Sequence, residues 1–194
     1  MKFLKDKTTF FLACMLCVHL VGSGLQAAQV GRNIEDYKIE KRVDQLLLLI
    51  QKRLVIMHEV ARAKWNQSLA IEDREREKQI LRGLIEQAHL RGLNEKWAAV
   101  FFLAQFDAAK EIQKGDFALW RQCRAQTFEG VISLKEDLRT YIDQINGEMI
   151  ELLSQIYSQL PIVEGLILER PLSIRATDDI EENIWQLAIS PLRS

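Results

Sequence analysis

Residues 52–65 read KRLVIMHEVARAKW, and the fold turns on how that stretch divides between apolar and charged positions. Steps of three and four residues put Leu46, Ile50, Arg53, Met57, Val60 and Lys64 on one helical stripe. Four of the six are apolar, so the stripe faces a core, yet two cations stand in line with it. A buried cation without a partner costs on the order of several kcal/mol. Arg53 and Lys64 are eleven positions apart. That is close to three turns, so both point the same way, about 16 Å apart along the axis. Either they bracket an anion or both side chains snorkel to solvent at the stripe's edge, and this helix alone leaves both readings open.

The helical period continues on both sides. A first pattern runs from about Asn33 to Trp65, where NQSLA interrupts it, and IEDREREKQILRGLIEQAHLRG predicts a second helix with an acidic start, ending near Gly92. Asn94 is placed to cap a third, LNEKWAAVFFLAQFDAAKEIQ, with Trp97, Phe101, Ala104, Ala108 and Ile112 on its core stripe. A less regular stretch passes through Gly115 and Gly130. A fourth helix is predicted from about Ser133 to Gln159 on Leu138, Ile142, Ile145, Met149, Leu152 and Ile156, closed by Pro161. IVEGLILERPLSI reads as a short helix broken at Pro171, and DDIEENIWQLAI as a last amphipathic helix begun by Thr177 and Asp178. With only three prolines and no alternating strand pattern, the fold class is all-α.

The whole chain bounds the rest. Its 194 residues, 48% hydrophobic and 27% charged, suffice for one well-buried domain. A formal net charge of −1 gives no global basic field of the kind nucleic-acid binding requires. Lys2, Lys5 and Lys7 precede an apolar run from Phe10 to Val21 and then small residues to Ala27 or Ala28. That is the pattern of a cleavable signal peptide over residues 1–27. The run is shorter than the roughly 20 residues that span a bilayer, so the expected destination is the periplasm or the exterior, with no membrane contact after cleavage. Losing residues 1–27 removes three Lys and one Asp and leaves 23 basic against 26 acidic residues, a formal −3. An anion site in such a domain must be a local concentration of Arg and Lys. Cys123 would be the sole remaining cysteine, which excludes an internal disulfide.

Several polar residues fall on or beside apolar faces. Asp73, Arg76 and Glu77 are neighbours on the second helix, and a surface salt-bridge cluster is the ordinary reading. Ala98, Phe102, Gln105, Ala109 and Gln113 share a second face of the third helix, where each Gln needs a partner unless it lies at the surface. Arg139 borders the Leu138 and Ile142 stripe, with Asp143 as its local partner. Cys123, His58 and His89 are spaced for neither nucleophilic catalysis nor a metal, so no metal and no cofactor are expected.

Order and spacing together say more than each residue does. Arg53 stands eleven residues before Lys64, and Lys64 seven before Ile71, which opens I-x-D-x-x-R-E. This combination, over about residues 43–113, resembles the all-helical chorismate mutases. LRTYID at 138–143 is similar to the second-half motif of their secreted, gamma-type subclass. The resemblance implies a single-domain bundle of about six helices over residues 28–194, with a catalytic half at about 33–115 and C-terminal helices at about 131–191. It also implies an isomerase of aromatic amino acid biosynthesis that converts chorismate to prephenate, acting as a homodimer with a complete site in each protomer.

Carried over by position, Arg53 and Arg139 would clamp the substrate carboxylates, and Lys64 would reach a carboxylate and the ether oxygen. Gln113 would donate to that same oxygen, and Asp73 and Glu77 would hold the ring hydroxyl, oriented by Arg76. Two positions depart from the family pattern: Ala109 replaces a Ser or Thr hydroxyl, and Lys110 a residue that is often acidic. The rearrangement is one pericyclic step with no proton to move, so it needs restraint of a flexible dianion and cations near the breaking ether bond. The alternative is an exported binding module for a dicarboxylate that has lost turnover.

Overall fold

Leu46, Ile50, Met57 and Val60 are buried, and Arg53 among them is only 3% exposed, so the stripe through residues 52–65 faces the core. It lies on α1 (Thr8–Asn66). The computed structural model describes the backbone of residues 8–169 and 180–193 and the side chains of 34–168 and 180–193. The expected leader and its cleavage site lie outside the described side chains, and Pro171, Thr177 and Asp178 lie outside the described residues altogether. Residues 1–40 and 41–194 form separate units, and the second carries the helices described below residue by residue from the end of α1 onward.

Asn66 ends α1, and Ser68 takes a left-handed conformation at φ 53° in the turn beyond it. The second helix begins later than expected. Residues 71–73 are irregular, and α2 (Arg74–Leu90) starts behind Asp73, whose carboxylate accepts from the Arg76 backbone N–H at 3.1 Å. A short side-chain acceptor before a run of good helix formers captures the orphan N–H groups of the first turn, so the cap overrides the acidic pattern upstream. Gly92, at φ +83°, turns the chain out of α2, in a backbone region that favours glycine.

Asn94 caps α3 (Glu95–Gln122) as expected, accepting from the Trp97 N–H at 3.1 Å. The helix does not stop at Gln113. It runs through Gly115 to Gln122, because Phe117 continues its apolar face and is buried. An isolated glycine costs only about 1 kcal/mol in a helix interior, and that packing outweighs it. Both faces of α3 are covered: Phe101, Ala108 and Ile112 on one, Ala98, Phe102, Gln105, Ala109 and Gln113 on the other. α3 is therefore the central element.

The loop after α3 is tied to the end of α1. Asn66 exchanges two 2.8 Å hydrogen bonds with the Phe128 backbone, and the Trp65 indole donates to Gln126 O at 3.2 Å. Ser133 caps a π turn (Leu134–Leu138) that leads into α4 (Arg139–Ile156). A 3-10 turn (Tyr157–Gln159) follows. Pro161 does not close α4 but sits at the start of α5 (Leu160–Glu169), a first-turn position where the missing N–H has no helical acceptor anyway. α6 (Glu182–Ile189) packs on α3, burying Ile184, Trp185, Ala188 and Ile189. No strand occurs among the described residues, and the all-α expectation holds.

Candidate active site

A cavity of about 610 Å³ opens where α1, α2, α3 and α4 converge. Arg53, Lys64, Asp73, Arg76, Glu77, Gln113 and Arg139, the seven residues singled out in the sequence, all line it. Its wall carries six cationic side chains (Arg53, Lys64, Arg74, Arg76, Lys110, Arg139) against five acidic ones. The wall is thus close to charge balance, and whether it favours an anion depends on which of these cations lack a carboxylate partner.

Arg53 enters from α1 and does not snorkel. Its Nε donates to Asn146 Oδ1 at 3.1 Å and one terminal nitrogen donates to the Gln105 carbonyl at 3.0 Å. Both acceptors are neutral. Burial therefore pushes the guanidinium pKa down to about 10 against the opposing charge of Asp143, and Arg53 stays cationic at neutral pH.

Lys64, about three turns further along α1, donates to Ile71 O at 2.6 Å. An ammonium has three donors, so two remain. Burial lowers its pKa from the ordinary 10.5; Glu77 and Asp73 oppose that lowering, while Arg139 and Arg76 reinforce it. Arg139 is lowered too, first by burial and then by the neighbouring Arg76 charge, with Asp73 and Asp143 opposing.

The ordinary pairings that the sequence offered do not form. Among the described residues, none of Arg53, Lys64, Arg76 and Arg139 has a carboxylate within 4.0 Å. Asp73 is engaged as the cap of α2, Glu77 pairs with Lys110 at 3.5 Å, and Arg139 makes no ion pair with Asp143. Four cations on three helices thus face one cavity with no ion-paired carboxylate, a costly arrangement unless an anion completes it.

Gln113 is buried at 4% exposure, so it is no surface glutamine. Its Nε2 donates to Ala109 O at 3.0 Å and lies 3.9 Å from Met57 Sδ, while Oε1 has no partner. The backbone bond fixes the amide plane. The second N–H meets only a thioether, a weak acceptor, and is available to a ligand. Gln105, the other buried glutamine, lies outside the cavity wall and donates to Ala188 O of α6 at 2.7 Å.

Two further residues take part: Asn146, which was not singled out in the sequence, and Lys110, which stood out only as a departure from the family pattern. Asn146 is 1% exposed and holds the Arg53 guanidinium; it lies seven residues after Arg139 on α4, and that spacing was the only signal. Lys110 bridges Asp107 at 3.0 Å and Glu77 at 3.5 Å. Partial burial works against its charge, but the hydrogen bond to Asp107 and the charges of Glu77 and Asp107 outweigh it and raise the ammonium above its usual range.

Fold and cavity together define a helical bundle enclosing a pocket onto which four cations without carboxylate partners among the described residues face. Residues 36–114 match the family model described as chorismate mutase type II. Among solved structures the chain is similar to the chorismate mutase of Burkholderia thailandensis, at 23% identity over 78% of this chain and 98% of that one, with a TM-score of 0.67. It is similar to the secreted chorismate mutase of Yersinia pestis at 25% identity, over 76% and 94% of the two chains, with a TM-score of 0.64. The Burkholderia phymatum chorismate mutase matches at 19% identity over 79% and 97%, again at 0.64. Residues 36–114 are thus similar to the type II chorismate mutases, and the fold of the chain is that of the helical chorismate mutases.

Proposed function

We propose that this protein is an isomerase that rearranges chorismate to prephenate within the cavity lined by Arg53, Lys64, Gln113 and Arg139. The observation that carries the reading is the set of four cations, Arg53, Lys64, Arg76 and Arg139, turned to one cavity without ion-paired carboxylates, on a fold shared with chorismate mutases. Chorismate carries two carboxylates and supplies the missing anions.

Each residue then has a task that its surroundings suit. The Arg53 and Arg139 guanidinium groups bind the carboxylates, where a planar fork of donors fixes orientation as well as charge. Lys64 donates to a carboxylate and to the ether oxygen on which negative charge grows as the bond breaks, and the free N–H of Gln113 donates to the same oxygen. Glu77, aided by Asp73, accepts from the ring hydroxyl. Arg76 stands beside both and sets their field. Restraint of the reactive conformer and stabilisation of the ether oxygen are sufficient, since the pericyclic step transfers no proton to the protein. At Ala109 the carbonyl, not a side-chain hydroxyl, serves the site by holding Gln113.

Export is part of the proposal. It is supported by the leader pattern of residues 1–27 and by likeness to an enzyme described as secreted. The mature chain acts as a homodimer in the periplasm or outside the cell, each protomer holding a complete site.

A direct assay of loss of chorismate and appearance of prephenate tests this reading. Turnover that collapses in Arg53→Ala and Lys64→Ala is expected. A folded protein that binds a bicyclic transition-state mimic without turnover would instead be a dicarboxylate-binding module, and one that binds neither would overturn the site.

A further inference from the structure

Glu77 is an acid of this cavity that takes part in the proposed chemistry while its charge is held by Lys110, a residue outside it. Asp73 has one carboxylate oxygen engaged at the N-terminus of α2. Ala109 offers no side-chain donor or acceptor, so recognition of a ligand hydroxyl at this end of the cavity rests chiefly on Glu77, with the second oxygen of Asp73 in support. A glutamate on the first turn of a helix has several rotamers, and ordering it at the moment of binding costs affinity. Here Lys110, on the facing helix α3, stands 3.5 Å from Glu77 Oε2 and is itself held by Asp107 Oδ1 at 3.0 Å, one turn before it on the same helix. The lysine side chain is 19% exposed and the glutamate 29%, so the pair is sheltered compared with an ordinary surface ion pair.

We propose that Lys110 is a positioning residue: by pinning one carboxylate oxygen of Glu77 it leaves the other directed to the ligand hydroxyl. The inference rests on the proposed role of Glu77. It gives a function to a lysine in a position that relatives often fill with an acid, and it makes Asp107 the outer anchor of a relay running from α3 to α2.

Steady-state kinetics on wild type, Lys110→Met, Lys110→Arg, Glu77→Gln and the double variant Glu77→Gln/Lys110→Met test it, with thermal melts as the folding control. Lys110→Met should raise KM about tenfold with kcat within about threefold, the size expected for losing one charge-assisted contact. Lys110→Arg should restore most of that loss. With Glu77 already replaced, Lys110→Met should cost less than about twofold, because neighbours that act through one group are not additive.

An equal loss in both backgrounds would mean that Lys110 meets the ligand itself, and would overturn the proposal, as would a Lys110→Met enzyme indistinguishable from wild type. If Lys110→Met does not fold, Lys110→Gln takes its place in the same cycle. Should the wild type show no turnover, the proposed reaction has failed. The same cycle is then read in the Kd of a bicyclic transition-state mimic by calorimetry, where non-additivity upholds the role of Lys110 and additivity, or no binding at all, overturns it.

Discussion

On the proposed reading Lys64 is the side chain on which the chemistry most depends, because it is held by a backbone carbonyl and not by a carboxylate, so its charge remains available. Removing one such electrostatic donor typically costs about two to three orders of magnitude in rate. Lys64→Ala should therefore lose turnover on that scale while its melting curve stays cooperative. The pH profile adds a second check. Gln113 donates at every pH, so the rate should be nearly flat from mildly acidic to neutral conditions. On the alkaline side kcat/KM, which reports the free enzyme, should fall below the ordinary lysine value of 10.5, because burial lowers the pKa of Lys64. A steep loss between mildly acidic and neutral pH would remove Gln113 as the donor.

Arg53 illustrates function maintained against stability. Its pKa is depressed to about 10 by burial, so its charged form is less favoured in the folded state than in the unfolded one. The sign follows from linkage: the unfolded chain holds this proton more tightly, so stability gains from its loss only as pH rises above about 10. Across the neutral range the penalty is constant. Arg53→Met removes that penalty but leaves Asn146 Oδ1 and the Gln105 carbonyl without their donor, at about 1–3 kcal/mol for a buried polar group left unsatisfied. It should accordingly melt only modestly below wild type without ligand, yet be inactive in the chorismate assay. A large drop in Tm would mean that the bonds to Asn146 and Gln105 matter more than the charge.

At the scale of elements, α2 is fixed at its start by the same residue that edges the cavity. Asp73 caps the helix, and loss of such a cap costs about 1 kcal/mol, whereas Asn caps as well as Asp. Thermal unfolding should therefore show Asp73→Ala destabilised by about that amount and Asp73→Asn unchanged. Their kinetics then separate the two duties: an Asn variant with normal stability and raised KM assigns the charge to the ligand, and one with normal KM confines Asp73 to the helix end. The helix boundaries bear on the site as well. Because α3 runs unbroken past Gly115, Gln113 sits in a helix interior with Ala109 O four residues behind it, which fixes the amide plane.

For the whole molecule, α6 connects the far end of the chain to the cavity. Gln105 donates to Ala188 O of α6, and the carbonyl of the same Gln105 accepts from Arg53. Trp185, on the same helix α6, is fully buried. Trp185→Ala should cost about 3–5 kcal/mol, the range for large aromatic deletions in a core, and denaturant unfolding measures it directly. The C-terminal segment thus supports the helix that carries Gln105, Lys110 and Gln113. None of this was legible in the chain, since neither the periodicity of DDIEENIWQLAI nor the polarity of Gln105 says which carbonyl the amide will find.

What the sequence determined by itself was periodic or local in origin. The helical class, the buried stripe of α1, the Asn94 cap and the approximate elements follow from spacing of apolar residues and from capping chemistry, both of which act over a few residues. The seven cavity residues were singled out through the resemblance that their order and spacing bear to the helical chorismate mutases, and all seven line the cavity. Only the tertiary structure decided which charges find partners. Salt bridges that were local possibilities on α2 and α4 do not form, while Glu77 pairs with Lys110 across two helices and Arg53 settles between a side chain of α4 and a carbonyl of α3. Pairing depends on the approach of residues distant in sequence, and that approach is set by how the buried faces pack, not by the order of residues along any one helix.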